Sequence, residues 1–223
     1  MPKNKRFLPL MIDLHCRKVV IFGGGSVGER KADLFSKYAE TLVISKNFSY
    51  GLKELHKQKN VILIQKDLRS LNDNELMELM NGAFIVIPAT SNKQINDRIT
   101  SIAKSLDILT NQIDTVGEVT IPAVIQRGDL TIGISTAGLS PAFSRYVRQN
   151  IEKVITPEYE KMIVLQNDIR NYLKEHVKDQ KHRKLILWKV LEDSTIWKDI
   201  SESYEKGYKR AYDIVQKEIN QKD

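Results

Sequence analysis

The first segment able to do chemistry is Gly23-Gly24-Gly25-Ser26-Val27-Gly28, which follows directly on the apolar run 18–22. Glycine at the first, third and sixth positions, between a strand-like run and a helix-like one, satisfies the dinucleotide fingerprint. In that pattern Gly23 permits a tight turn, Gly25 lets the backbone approach a pyrophosphate, and Gly28 lets the helix pack against the strand. The helix N-terminus adds amide hydrogens and a partial positive charge. All six residues are therefore candidate dinucleotide ligands. The fingerprint also asks for an acidic residue about 20 positions further on to bind the adenosine ribose. Here the next strand-like run ends in Ser45, Lys46 and Asn47. Lys46 suits the 2′-phosphate of NADP, whereas Ser45 or Asn47 suits the free ribose of NAD. NAD is the expected cofactor, with NADP open. The run 83–87 ends in Pro88-Ala89-Thr90-Ser91-Asn92. These small and hydroxyl residues allow close approach of a cofactor, so Thr90 joins the set, although Ser91 or Asn92 equally serves as a helix cap.

Two more segments could serve a substrate. Thr110-Asn111-Gln112-Ile113-Asp114 ends a strand-like run. A carboxylate at Asp114 could take a proton or hold a metal ion in transit, though an aspartate after a strand is also an ordinary turn residue. Gly133-Ile134-Ser135-Thr136-Ala137-Gly138-Leu139-Ser140-Pro141 is a small-residue loop leading into a helix. Its amides and hydroxyls could hold substrate carboxylates, or Ser140 and Pro141 could simply start the helix. Arg145 and Arg148 follow within its first turns and could contact acidic groups. The candidate substrate contacts are Asn111, Ser135, Thr136, Gly138, Ser140 and Arg145. His15, His56, His176 and His182 show no metal-ligand spacing, and the single cysteine, Cys16, has no partner for a disulfide or a zinc motif.

These residues need a scaffold, and the rhythm of the chain specifies one. Short β-branched runs at 18–22, 41–45, 61–65, 83–87 and 108–111 alternate with amphipathic stretches at 26–38, 50–57, 72–80 and 93–105. That is the pattern of an α/β fold, a Rossmann-type doubly wound parallel sheet. Runs at 120–126 and 130–135, joined by Arg127-Gly128-Asp129, predict a β-hairpin. Helix formers dominate after Ser140, with helix starts at Pro141 and Pro157 and no glycine until Gly207. The expected domains are a dinucleotide-binding domain at 1–115, a hairpin and helix region at 116–155, and a helical region at 156–223.

The 223 residues carry a net charge of +7, and its location is informative. Residues 151–223 hold 15 Lys or Arg against 14 Asp or Glu, so the excess lies before them, at 20 against 14. Such an excess suits a pyrophosphate or a small polycarboxylate. It would suit nucleic acid too, but no nucleic-acid module or basic stripe with interleaved aromatics is present. The longest apolar runs fall well short of the roughly 18 to 20 residues that span a bilayer. The basic start 1–6 is not followed by a signal-peptide pattern, so a cytoplasmic location is expected.

Taken in order, these motifs carry a resemblance. Pro9-Leu10-Met11-Ile12-Asp13-Leu14, then Val20-Ile21-Phe22 with the glycine loop and Glu29-Arg30-Lys31, resemble the opening of the precorrin-2 dehydrogenase and sirohydrochlorin ferrochelatase family, including the N-terminal module of siroheme synthase. The likeness continues through Ala89-Thr90 with Asn96, through Asn111 to Asp114, and through Ile134 to Pro141, covering about residues 7–150. It implies oxidation of precorrin-2 to sirohydrochlorin with NAD, and in some members insertion of Fe(II) as a chelatase substrate. It also implies a homodimer built through the hairpin and the following helices. Asp114 falls on the family's functional aspartate, the implied catalytic residue and transient metal contact, while Thr136 stands where some relatives have serine. A polycarboxylate substrate gives the basic surface a use, with Arg127, Arg145 and Arg148 as candidates. A dinucleotide sensor without turnover is the alternative on the same fold.

Overall fold

The computed structural model describes residues 7–58, 60–113, 115 and 117–220. Asp114, the candidate catalytic residue, lies outside them. The chain divides into two units, Met1–Ile121 with Ala137–Leu139, and Pro122–Thr136 with Ser140–Asp223.

The first unit alternates β1 (Lys18–Phe22), α1 (Ser26–Phe35), β2 (Glu40–Ser45), α2 (Tyr50–Lys57), β3 (Ile62–Gln65), α3 (Asp73–Met80), β4 (Ala83–Pro88), α4 (Lys93–Ser105) and β5 (Leu109–Thr110). The strands form one parallel sheet in the order β3-β2-β1-β4-β5. Reversal of direction at β1 is the switch point at whose carboxyl edge such sheets bind ligands. β1 is buried along nearly its whole length because helices cover both faces. Val20, Phe22, Leu42, Ile44 and Val86 pack on one side with Leu76, Met80, Ile99 and Ile102 of α3 and α4. Val19, Ile21, Val43, Ile85 and Ile87 pack on the other with Ala32, Phe35 and Leu52 of α1 and α2. The two-residue period of the strands thus splits one apolar run between two cores.

In the second unit β6 (Ala123–Arg127) and β7 (Leu130–Ile134) form an antiparallel hairpin turned at Gly128, whose φ is +54°. The first arm begins at Ala123 rather than at 120. Pro122 immediately before it has no amide hydrogen to give the ladder. Helices α5 (Pro141–Glu152), α6 (Glu158–His176), α7 (Gln180–Glu192), α8 (Ser194–Glu202) and α9 (Tyr204–Asn220) follow. Met162, Leu165, Ile169 and Leu173 recur along one face of α6 and meet Ile186, Val190, Ile196, Ile200, Ala211 and Val215. Leu165 is fully buried there, so Leu165→Ala is expected to lower unfolding stability by about 2–5 kcal/mol in a denaturant titration. None of the described helices is long and apolar enough to cross a membrane.

Candidate functional site

A cleft of about 450 Å³ lies at the carboxyl edge of the parallel sheet, within the first unit. Its wall is built from Gly23–Gly25 after β1, Ser45–Asn47 after β2, Asp67–Arg69 after β3, and Ala89–Asn92 with Ile95 around the start of α4. The structure therefore brings Gly23, Gly24, Gly25, Ser45, Lys46 and Thr90 together around one space. Ser26, Val27 and Gly28 form the first turn of α1 behind it.

The glycines of this loop divide by what demands them. A Cβ on Gly23, whose φ is +130°, would meet the Ala89 carbonyl oxygen at 2.3 Å. One on Gly24 would stand 2.1 Å from the Asn47 oxygen, and one on Gly28 would stand 2.0 Å from the Gly23 oxygen. Packing of the protein against itself accounts for these three. A Cβ on Gly25 would meet nothing within 4 Å, and its φ of −85° is open to any residue. The protein's own contacts do not require glycine here, whereas a group lying in the cleft against the backbone would.

Gly25 is also the N-cap of α1, and no side chain caps that helix. By contrast, Ser49, Asn72, Asn92 and Ser140 accept backbone hydrogens at the starts of α2, α3, α4 and α5. The uncapped amides and the positive end of the α1 dipole suit a pyrophosphate. A nicotinamide dinucleotide fits these residues. The glycine loop would hold its phosphates, and the residues after β2 and β3 would face its adenosine.

The charged groups in this wall are Lys46, Asp67 and Arg69. The Lys46 ammonium donates to Asp67 Oδ2 at 3.0 Å, and the Arg69 amide donates to Asp67 Oδ1 at 3.1 Å. The Arg69 amide, and after it the Lys46 ammonium, holds the Asp67 carboxyl below its ordinary range. Asp67 and Arg69 escaped the sequence reading. The signal was the topology: with β3 beside β2, the residues after both strands face one cleft.

Thr90 is braced by α4. Its hydroxyl donates to Asn96 Oδ1 at 2.7 Å, its amide donates to the same oxygen at 3.1 Å, and Asn96 Nδ2 returns a hydrogen to the Thr90 carbonyl at 3.0 Å. Asn96 is buried. Asn96→Ala is expected to cost about 1–3 kcal/mol in thermal unfolding, because it takes away the partner of the Thr90 amide and carbonyl, while the Thr90 hydroxyl keeps the Asn92 carbonyl at 3.0 Å.

Asn111, just after β5, is buried, with both ends of its amide engaged within the first unit. Its Oδ1 accepts from Lys31 Nζ at 2.8 Å, and its Nδ2 donates to the Val119 carbonyl at 2.8 Å. Burial, with Arg30 alongside, lowers the Lys31 ammonium from its usual value. Asn111 thus ties Lys31 of α1 to the Val119 carbonyl.

In the second unit, Thr136 and Ser140 stand together at the start of α5. The Ser140 amide donates to Thr136 Oγ1 at 3.1 Å, and the Ser140 hydroxyl accepts from the Phe143 amide at 3.3 Å. Both hydroxyls serve the helix start. Ser135 is exposed at the end of the hairpin, and Gly138 takes a φ of +83° after Ala137 at +52°. Arg127 is spent on the Ile155 and Gln126 carbonyls, and Arg148 pairs with Glu152 at 2.8 Å. Arg145 is exposed, and no described carboxylate pairs with it. Among the described residues no group of three or more His, Cys, Asp or Glu is placed to hold a metal ion.

A switch-point cleft with a glycine loop and an uncapped helix defines a dinucleotide-binding protein of the Rossmann type, and the comparisons agree. Residues 10–123 match an NAD(P)-binding family, and residues 127–153 match the family described as "Sirohaem biosynthesis protein central". The chain is 60% identical over 215 residues to "Precorrin-2 dehydrogenase" of Methanosarcina barkeri, covering 96% of each. It is 29% identical to a "Siroheme synthase" of Vesicomyosocius okutanii, matching 75% of this chain and 35% of that longer protein. Among solved structures, "SirC, precorrin-2 dehydrogenase" superposes with a TM-score of 0.71 at 21% identity, covering 90% of this chain and all of that one, a likeness of fold. The chain belongs to the precorrin-2 dehydrogenase family.

Proposed function

We propose that this protein oxidises precorrin-2 to sirohydrochlorin with NAD as the acceptor. The observation that carries the cofactor half is Gly25, a glycine whose missing side chain opens onto the cleft at an uncapped helix start. The substrate half rests on 60% identity across 96% of both chains to a protein named for that activity.

Bound in the cleft, NAD supplies a hydride acceptor. The chain's own part is to fix the pyrophosphate on the amides of Gly25 to Gly28 and the adenosine against Ser45, Lys46 and Asp67, with Thr90 lining the same cleft after β4. Dehydrogenation removes two hydrogens, one leaving as hydride to the nicotinamide and the other as a proton. Asp114 is the proposed proton acceptor. Ser135, Thr136, Gly138, Ser140 and Arg145 are the proposed contacts for the substrate carboxylates, and Arg145 brings a cationic charge not spent on another described residue. Arg145→Ala is expected to raise KM severalfold with a smaller change in kcat, measured over a range of precorrin-2 concentrations. Fe(II) insertion rests on the resemblance alone.

The active form is proposed to be a homodimer through the hairpin and α5. Phe143 and Tyr146, on α5, are more than half exposed, as is Val154 just beyond it. Sedimentation equilibrium at a dimer mass supports this, and a monomer at assay concentrations contradicts it. The function itself is tested by anaerobic incubation of the full chain with precorrin-2 and NAD. Sirohydrochlorin is the expected product. A chain that binds NAD yet leaves precorrin-2 unchanged overturns the proposal.

A further inference from the structure

The dinucleotide site lacks an acid at the end of β2, where one would read the adenosine ribose, and has Lys46 in its place. Taken alone, that lysine points to a 2′-phosphate and NADP. The neighbouring strand changes its meaning. Because β3 pairs with β2 in parallel register, Ser45 opposite Gln65, the two strands end side by side and Asp67 comes to lie against Lys46. Gln65 Nε2 donates to the Lys46 carbonyl at 3.0 Å, and the Lys66 amide donates to the Ser45 carbonyl at 3.1 Å, so the two strand ends are stitched together.

We infer that Asp67 is the residue that selects NAD over NADP, supplying from β3 the carboxylate missing from β2 and neutralising Lys46. The inference rests on the reading of this cleft as the dinucleotide site. Both oxygens of Asp67 are fixed, one by the Arg69 amide and the other by Lys46, so the carboxylate is a preset feature of the wall. A ribose 2′-hydroxyl can donate to it. A 2′-phosphate in the same place faces a like charge and must also pull Lys46 away from its partner. Without the carboxylate, Lys46 loses its partner and stands in the same wall as Arg69 as a second cation able to hold a phosphate. The pair is substantially exposed, at 69% for the Lys46 side chain and 36% for that of Asp67. Exposed pairs of this kind add little to stability. Stabilising the fold is therefore a weak reason for the pair, and recognition is a better one.

The test is equilibrium binding of NAD and NADP to the full chain by calorimetry, for wild type, Asp67→Asn, Lys46→Ala and the double variant, with thermal melts as the folding control. Wild type is expected to prefer NAD. Asp67→Asn keeps an acceptor for the Arg69 amide and is expected to shift the affinity ratio toward NADP by about tenfold or more. That shift is expected to shrink in the Lys46→Ala background, since the released lysine supplies part of it and the loss of the like charge supplies the rest. If NAD still binds and Asp67→Asn leaves the ratio unchanged, the inference falls and the dinucleotide site stands. If wild type prefers NADP the inference also falls, and if it binds neither dinucleotide the site reading falls with it.

Discussion

Replacing Gly25 by valine is expected to weaken NAD binding by about a hundredfold while leaving the protein folded. The position sits where α1 begins, with no protein atom near a Cβ and with backbone angles that any residue adopts. Valine is a poorer N-cap than glycine, so a stability loss of up to about 1 kcal/mol is expected. Binding suffers far more, because the side chain occupies the space through which a pyrophosphate reaches the helix amides. Loss of two charge-assisted hydrogen bonds at about 1.5 kcal/mol each amounts to about two powers of ten in affinity. Calorimetric titration with NAD, paired with a thermal melt, separates the two effects. Unchanged NAD affinity in a folded Gly25→Val protein would mean that the cleft is not the cofactor site. The same substitution at Gly28 is a poor test, since its Cβ would strike the Gly23 carbonyl and disturb the fold itself.

Asp114→Ala is expected to lower turnover of precorrin-2 by about 10²- to 10⁴-fold, the range for loss of a positioned proton acceptor. NAD affinity is expected to stay within about threefold of wild type, because the described residues of the cleft wall come from the segments after β1, β2 and β3 and from the start of α4. Asp114→Asn should behave like the alanine variant, which separates a need for the carboxylate from a need for side-chain volume. A fall in kcat with NAD affinity preserved assigns Asp114 to chemistry. Undiminished turnover removes it from the mechanism and leaves the dehydrogenase reading in place.

The first unit was legible because its signals are redundant. Each strand is a β-branched run closed by a turn or cap residue, and each helix has an apolar face of matching period. The run 18–22 became β1 without change, and Asn72 and Asn92 cap helices where the side-chain pattern required a start. The helical region was legible only as helix. Its division into α6 to α9 depends on Asp179, Asp193 and Ser203, whose side chains accept amide hydrogens at the starts of the last three helices. Aspartate and serine are also common on helix surfaces, so without a glycine or proline beside them these stops do not stand out.

At the site, the glycine loop could be read from spacing because one segment supplies every part of it. Asp67 could not, because its role exists only once β3 lies beside β2. That adjacency comes from the order β3-β2-β1-β4-β5 and not from any local pattern. Asn111 is a similar case, since its bonds to Lys31 of α1 and to the Val119 carbonyl exist only once those segments lie beside β5.

The most direct test of NAD-dependent precorrin-2 dehydrogenation is to follow NADH and sirohydrochlorin absorbance together in one anaerobic reaction of the full chain with precorrin-2 and NAD. The two products are expected to rise at the same rate and in equal amounts, with neither formed when precorrin-2 or NAD is withheld. Sirohydrochlorin appearing without NADH, or no faster than in the enzyme-free control, would contradict the proposed reaction.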